Sequence, residues 1–156
     1  MIPVDQTLFG HGQGNCFAAC VASLLEVPLA ALPNFMVELP DPWLLHFQEW
    51  CRVLGVHAWS ISPGLFGSEE HFFAWTETLG FPYIMGGDCI RNGAVAPGKH
   101  CVIYQGSRMI HDPNPCRAGL VTFEDAVFIC AMPHLALRKS LLRDAVRIPL
   151  IKPEPT

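Results

Sequence analysis

Apolar residues recur at helical spacing in the first third of the chain. Over residues 16–26 they fall at positions i, i+3, i+4, i+7 and i+8, which is one face of a regular helix. Pro28 is expected to end this helix, because proline cannot continue it. The same spacing predicts a second helix over residues 43–54, with Asp41 as its N-cap and Gly55 just past its end.

Later in the chain, apolar and polar residues alternate with period two, which is typical of half-buried strands. A third helix is predicted over residues 68–79, a glycine- and proline-rich loop over residues 86–98, and a terminal helix over residues 135–146. The predicted strands cover residues 56–61, 81–85, 99–104, 108–111 and 126–132.

The order of these elements predicts an α+β protein, with N-terminal helices packed on a mostly antiparallel sheet. The chain has 156 residues and neither an internal repeat nor a linker. We therefore predict one domain over residues 1–147, followed by a flexible tail over residues 148–156.

Composition narrows the classes of partner. Hydrophobic residues make up 51% of the chain, yet no run of about 18 apolar residues appears, so we expect no membrane span. The N-terminus lacks the basic region of a signal peptide, so we expect a cytoplasmic protein. The net charge is −4 with ten Lys and Arg residues, which argues against nucleic acid as a partner.

Seven cysteines are present, and without an export signal we expect free thiols rather than disulfides. Cys16 stands apart, because it follows a glycine-broken polar loop and opens the first predicted helix. Unpaired backbone N–H groups and the positive end of the helix dipole favour the thiolate there, which is the nucleophilic form. Four others lie in apolar runs and are expected to be small core residues, namely Cys20, Cys51, Cys101 and Cys130.

A nucleophilic thiol needs a base, and the base needs a third group to orient it. His100 begins a predicted strand and Asp112 ends the next one. If residues 105–107 form the turn, the numbers of residues paired across the hairpin sum to about 212. His100 and Asp112 would then be cross-strand neighbours on one face, with His100 Nδ1 close to the carboxylate.

Three blocks, GNCFAACVASLL, HCVIY and MIHDPNP, resemble a papain-like cysteine peptidase. The nearest branch is that of the bacteriocin-leader (double-glycine) peptidases, in which a cysteine opens a helix, a strand carries the histidine and Asp-Pro follows on the next strand. The chain is also similar to small uncharacterised proteins of bacteriophages and prophages. The resemblance implies a papain-like fold with Cys16 as nucleophile, His100 as general base and later acid, and Asp112 as orienting group.

The oxyanion donor is the point at which this chain departs from the family. The family pattern has a glutamine about six residues before the cysteine, and Gly10 occupies that position here. Gln6 lies further from Cys16 and Gln13 lies closer. We favour Gln6, because glycines inserted in the intervening loop preserve its position, and the backbone N–H of Cys16 is the expected second donor.

Simpler roles for these residues stay open. Cys16 could simply be a buried residue at the start of a helix. His100 could be a strand histidine whose hydrogen bonds are satisfied, and Asp112 could be a turn former before proline. His111 is the main competitor as base or orienting group, although it alternates to the opposite face from Asp112. His11 lies close to Cys16 in sequence, but within the loop.

The triad predicts a thiol hydrolase that cleaves an amide, peptide or isopeptide bond of a peptide or protein substrate, without cofactor or metal. Two alternatives stay open. One is a cell-wall amidase or acyltransferase on the same triad. The other is a catalytically idle papain-like module of phage origin that binds a host protein. Neither the substrate sequence nor the oligomeric state follows from the residues.

Overall fold

The structure is a computed structural model, and it describes residues 1–10, 12–39, 41–91, 94–95 and 99–131. The predicted terminal helix over residues 135–146 and the predicted tail lie outside the described residues, so they stay predictions. The helices are α1 (Cys16–Leu25), α2 (Phe35–Glu38), α3 (Trp43–Val53) and α4 (Glu69–Leu79), with short 3-10 turns at Leu29–Ala31 and Pro63–Phe66.

Two antiparallel sheets are formed by the described strands. These strands are β1 (Val56–Ile61), β2 (Tyr83–Gly87), β3 (Ile90–Arg91), β4 (Ala94–Val95), β5 (His100–Gln105), β6 (Arg108–His111) and β7 (Asp125–Ala131). The main sheet has the order β1-β7-β2-β5-β6, and β3 pairs with β4 in a separate hairpin. Three helices precede an antiparallel sheet and a fourth lies between β1 and β2, so the predicted α+β class is confirmed.

Apolar side chains cover both faces of the main sheet. On one face, Phe17 of α1, Phe35 of α2 and Phe47 of α3 meet edge to face, with ring centroids 4.9 to 5.9 Å apart. On the other face, Phe72 of α4 packs into a cluster with Phe128 of β7. Such aromatic pairs contribute about 0.5–1.5 kcal/mol beyond their buried area. The phenylalanine cluster therefore holds α1, which carries Cys16, against its neighbours.

Helix boundaries agree with the predicted ones at some points and differ at others. Cys16 begins α1, and Gly55 lies just past α3 with a φ of +80°. The predicted cap of α3 was wrong, because Pro42 rather than Asp41 is the N-cap and no side chain caps this helix. The hydrophobic pattern does not predict α2, since four residues are too few to show a helical period.

The glycine- and proline-rich loop begins later than predicted, because β2 continues through the first two of its residues. Gly86 and Gly87 still belong to β2 and pair with Cys101 and His100 of β5. A Cβ on Gly87 would lie 1.9 Å from the carbonyl oxygen of Thr122. Only glycine allows this close approach of the two backbones. The glycine pair therefore looks like a loop in the sequence but forms the end of a central strand.

The β5–β6 hairpin does not have the predicted register. Its turn has two residues, so Gln105 pairs with Arg108, and these numbers sum to 213. A bulge then leaves Ile110 without a partner opposite, and Ile103 pairs with His111, a sum of 214. The predicted sum of 212 was wrong, and so was the direct cross-strand pairing of His100 with Asp112 that it implied.

Burial of α1 extends well beyond the one predicted face. Ala18 and Ala19 lie off that face and are only 1% and 0% exposed. The N-terminal segment covers this side, where Val4 N–H donates to Ser23 Oγ at 2.9 Å and Ile2 N–H donates to the Ser23 carbonyl at 3.3 Å. Residues 1–8 therefore run along α1 towards the end that carries Cys16.

Within the described part of the chain, no single helix is long and apolar enough to cross a membrane. The segments Cys16–Leu25 and Leu29–Glu38 reach that length and composition only together, and they are bent by 98° at their junction.

Candidate active site

Cys16 is the first residue of α1, and Asn15 is its N-cap. The first hydrogen bond of the helix runs from Ala19 N–H to the Asn15 carbonyl at 2.9 Å, so the N–H of Cys16 has no acceptor within the helix. Just before it, Gly14 N–H donates to the Gly10 carbonyl at 3.0 Å, and a Cβ on Gly14 would come within 3.1 Å of that oxygen. Cys16, which follows this tight turn, is half-buried.

His100 and Asp112 form a buried hydrogen-bonded pair. His100 is the first residue of β5 and Asp112 directly follows β6. The His100 Nε2–H donates to Asp112 Oδ1 at 2.7 Å, and the two residues are 1% and 2% exposed. The predicted contact is present, but through Nε2 rather than Nδ1. Nδ1 has no nitrogen or oxygen partner among the described residues, and the ring interacts with the Cys16 thiol.

Cys16 and His100 stabilise each other's charged forms. Hydrogen bonding to the Cys101 thiol lowers the pKa of Cys16; burial opposes this effect and the neighbouring His100 adds to it, so that the pKa is about 4. Burial lowers the pKa of His100, but the hydrogen bond to Asp112 and the contact with Cys16 outweigh it and raise the pKa to about 9. Between these values the site holds a thiolate beside an imidazolium.

Asp112 is a carboxylate whose two oxygens are both occupied. Besides the bond from His100, Oδ1 accepts from Asn114 N–H at 2.8 Å, and Oδ2 accepts from Gly119 N–H at 2.9 Å. Burial raises the pKa of Asp112, but these three hydrogen bonds outweigh it and hold the pKa below its usual value. The carboxylate therefore stays charged beside His100.

Gln6 reaches the cavity beside Cys16, whereas Gln13 does not. Gln6 is 4% exposed, its backbone N–H donates to the Pro113 carbonyl at 3.0 Å, and its Nε2 donates one hydrogen to the Leu8 carbonyl at 3.0 Å. Its buried Oε1 has no partner within the described ranges. Gln13 is exposed and absent from the cavity wall. The amide of Gln6 thus keeps one N–H for another acceptor.

The residues on either side of Gln6 are anchored by two polar side chains. Asn15 Oδ1 accepts from the N–H groups of Thr7 and Leu8 at 3.0 and 2.9 Å. Arg117 pairs with Asp5 at 2.7 Å. The same Asn15 that precedes the nucleophile therefore also positions the segment of the expected oxyanion donor.

A cavity of about 230 Å³ opens onto the Cys16 thiol. Gln6 and Cys101 lie on its wall, together with three glycines of the loop before α1. Two cationic residues, Arg91 and Lys99, also lie on the wall. Lys99 pairs with Asp88 at 3.3 Å and also with Glu124, so much of its charge is neutralised.

A second, largely apolar cavity of about 300 Å³ adjoins the first. The two share four residues, which are Phe17, Met36, Lys99 and Cys101. Trp43 of α3 and Ile84 of β2 are among its apolar walls, and Gly86 contributes a wall without a side chain. The two cavities thus lie side by side between the helices and the main sheet, and we call the pair the groove beside Cys16.

His111, the main competing histidine, is turned away from Cys16 and towards the N-terminal segment. His111 Nε2 lies 2.9 Å from the Val4 carbonyl, so it is bonded to the N-terminal segment. His11 lies outside the described residues. The base expected at His100 is thus the histidine that interacts with Cys16.

One cysteine that was assigned to the core belongs to the site instead. Cys20 and Cys51 are fully buried, as predicted, and Cys130 is half-buried. Cys101 is also half-buried, lines both cavities and hydrogen-bonds with Cys16. Cys101 directly follows His100, the expected base, and this position in the sequence is the signal that could have placed it at the site. Met36 gives no such signal, because only the fold of α2 brings it to the groove.

Within the described ranges, no three His, Cys, Asp or Glu side chains are arranged to hold a metal ion. Comparison with known protein families, with curated proteins and with solved structures gives no match for this chain. The chemistry of the site therefore rests on its own geometry.

Proposed function

We propose that this chain is a papain-like thiol hydrolase that cleaves an amide, peptide or isopeptide bond in a peptide or protein. The observation that carries the proposal is the chain of contacts from Cys16 to His100 to Asp112. Nucleophile, base and orienting group in contact are the requirement for covalent catalysis at a carbonyl. The cavity beside the thiol supplies room for the carbonyl.

In the proposed reaction the Cys16 thiolate attacks the carbonyl carbon and forms a tetrahedral adduct. The His100 imidazolium, oriented by its 2.7 Å bond to Asp112, gives its Nδ1 proton to the leaving amine as the C–N bond breaks. A thioester on Cys16 results. His100, now neutral, takes a proton from water, the hydroxide attacks the thioester, and the carboxylic acid product leaves the thiolate and imidazolium restored.

Two N–H groups are available to hold the negative oxygen of the adduct. One is the backbone N–H of Cys16 at the start of α1, which has no acceptor in the helix. The other is the second N–H of the Gln6 amide, since Gln6 lies on the wall of the same cavity and its amide gives only one N–H to the Leu8 carbonyl. Donors aimed at a developing oxyanion stabilise the transition state more than the ground state.

The adjoining apolar cavity supports a preference for substrates with a bulky apolar side chain near the scissile bond. Its walls include Trp43 and Ile84, and it shares four wall residues with the cavity of Cys16. Burying such a side chain supplies binding free energy of about 1.5–3 kcal/mol. Because Gly86 carries no side chain, space is left at the wall that faces Cys101.

The test is cleavage of a mixed peptide library by the purified protein, read by mass spectrometry as new termini. We expect cleavage by the natural chain and none by Cys16→Ala, with Cys116→Ala as the matched control because that thiol is exposed and outside both cavities. A peptide thioester on Cys16, trapped by acid quenching, is the expected intermediate.

Other outcomes separate the alternatives. Transfer of the acyl group to an added amine, without hydrolysis, would identify an acyltransferase. Cleavage of cell-wall peptides alone would identify an amidase. A correctly folded protein that cleaves nothing and forms no thioester would overturn the proposal and leave the idle binding module.

A further inference from the structure

The thiol of Cys101 lies next to the thiol of Cys16, the proposed nucleophile. Cys101 follows His100 in β5, hydrogen-bonds with Cys16 and lines the same cavity. In the proposed triad this thiol takes no part in bond making or breaking, and only its hydrogen bond to the Cys16 thiolate is used. We propose that Cys16 and Cys101 are a redox pair, in which peroxide converts the two thiols into an intramolecular disulfide that reversibly blocks Cys16. The inference concerns the thiols alone and does not depend on hydrolysis.

Oxidation of Cys16 is the first step. Its thiolate attacks one oxygen of hydrogen peroxide, the O–O bond breaks, and the leaving hydroxide takes a proton to become water. Cys16 becomes a sulfenic acid. Peroxide reaches it because the half-buried thiol opens into the 230 Å³ cavity.

Disulfide formation is the second step. The Cys101 sulfur attacks the Cys16 sulfur, the S–O bond breaks, and hydroxide leaves with the proton that Cys101 loses. Overall the two thiols lose two electrons and one peroxide is reduced to two waters. A dithiol reductant reverses the change by thiol–disulfide exchange.

The order of the steps follows from the electrostatics of the pair. Hydrogen bonding to the Cys16 thiolate, followed by burial, raises the pKa of Cys101 well above its usual value. Cys101 therefore stays protonated while Cys16 is reduced. A sulfenic acid on Cys16 is neutral, so the largest cause of the raised pKa disappears once Cys16 is oxidised. Burial still raises the pKa of Cys101, but its proton is then easier to remove as its sulfur attacks.

Cys20 is the competing partner and is poorly placed. It lies one turn after Cys16 on the same helix and is 0% exposed. It is absent from the walls of both cavities. Cys101 is on a different element, faces the cavity and touches Cys16 directly, so it is the thiol that resolves the sulfenic acid.

The experiment treats the whole protein with a small excess of hydrogen peroxide and maps its disulfides by mass spectrometry without reduction. The expected product is a cross-link between the peptides of Cys16 and Cys101, which disappears after dithiothreitol. A cross-link of Cys16 to Cys20, or no cross-link while Cys16 is oxidised, would overturn the proposal.

Variants separate a resolving role from a structural one. In Cys101→Ser and Cys101→Ala, Cys16 should proceed to sulfinic acid, so that dithiothreitol recovers about tenfold less free Cys16 than in the natural chain. The matched control Cys116→Ser should keep the cross-link and full recovery. If dithiothreitol recovers as much free Cys16 in the folded Cys101 variants as in the natural chain, the proposal is contradicted. If both variants fail to fold, the disulfide mapping of the natural chain still decides between the outcomes.

Discussion

His100 donates a hydrogen bond of 2.7 Å to Asp112 although these two residues are not partners in the β5–β6 ladder. Asp112 lies just beyond β6, where N–H groups of Asn114 and Gly119 hold its carboxylate. The loop after the strand, rather than the strand pairing, therefore sets the geometry of the pair. The following predictions depend on this pair and on the groove beside it.

The reactivity of Cys16 should be nearly independent of pH over a wide range. Its pKa is about 4 and that of His100 is about 9, so the thiolate–imidazolium pair persists between them. The rate of alkylation of Cys16 by iodoacetamide should stay flat from about pH 5 to 8, whereas ordinary thiols react about tenfold faster per pH unit. Mass spectrometry of each cysteine peptide measures this. A Cys16 rate that rises about tenfold per pH unit would contradict the ion pair.

Hydrolysis should follow a bell-shaped pH profile. As the pH rises through about 4 the Cys16 thiolate forms and activity rises, and as it rises through about 9 the proton donor His100 is lost and activity falls. Initial rates on the best library peptide would measure both limbs.

Asp112→Asn should lower the activity, and it should move the alkaline limb of the pH profile to lower pH. Without the carboxylate, the pKa of His100 should fall from about 9 towards 6.5, and kcat should fall about 100-fold, because the proton donor is neutral and less well oriented. Asp41→Asn is the control, because Asp41 is exposed and far from this hydrogen-bond network in sequence. Unchanged limbs in a folded Asp112→Asn protein would remove Asp112 from the triad.

Gln6→Ala and Gln13→Ala should differ sharply. Loss of one oxyanion donor lowers kcat about 10²–10³-fold with little change in KM. Gln6 is buried on the cavity wall, and Gln13 is exposed outside it. Steady-state kinetics should therefore show the loss only for Gln6→Ala. Equal effects of the two substitutions would exclude Gln6 as the donor.

Gly86→Ala should narrow the apolar cavity without disturbing the sheet. A Cβ there would lie 3.6 Å from the Asp125 carbonyl and 4.0 Å from Cys101 Sγ, which are ordinary contacts. KM for peptides with a bulky apolar side chain should rise about tenfold, because one added or missing carbon in an apolar pocket changes substrate affinity by about that factor. Peptides with alanine in its place should be unaffected.

The matched control for the cavity is Gly64→Ala. Its added Cβ lies 3.5 Å from Ser62 Oγ in a short turn outside both cavities. No change in KM is expected. If Gly86→Ala leaves KM for bulky and small substrates equally unchanged, the apolar cavity does not bind the substrate side chain.

Local chemistry explains which features of this protein could be predicted. Helical spacing and a glycine-broken approach are properties of neighbouring residues, so the sequence by itself determined that α1 begins at Cys16 and that α3 comes before the first strand. The same holds for Gly55, whose positive φ closes α3. These features need no knowledge of distant contacts.

Other features depend on contacts between distant residues, and only the tertiary structure decided them. The bulge at Ile110 shifts the hairpin register, and the loop after β6 then brings Asp112 back to His100. Cys101 looks like a core residue because its neighbours are apolar, yet β5 places it against the start of α1. The spacing of residues along the chain indicates the local structure of one segment. A site forms where separate segments come into contact, and packing and strand register determine where that contact lies.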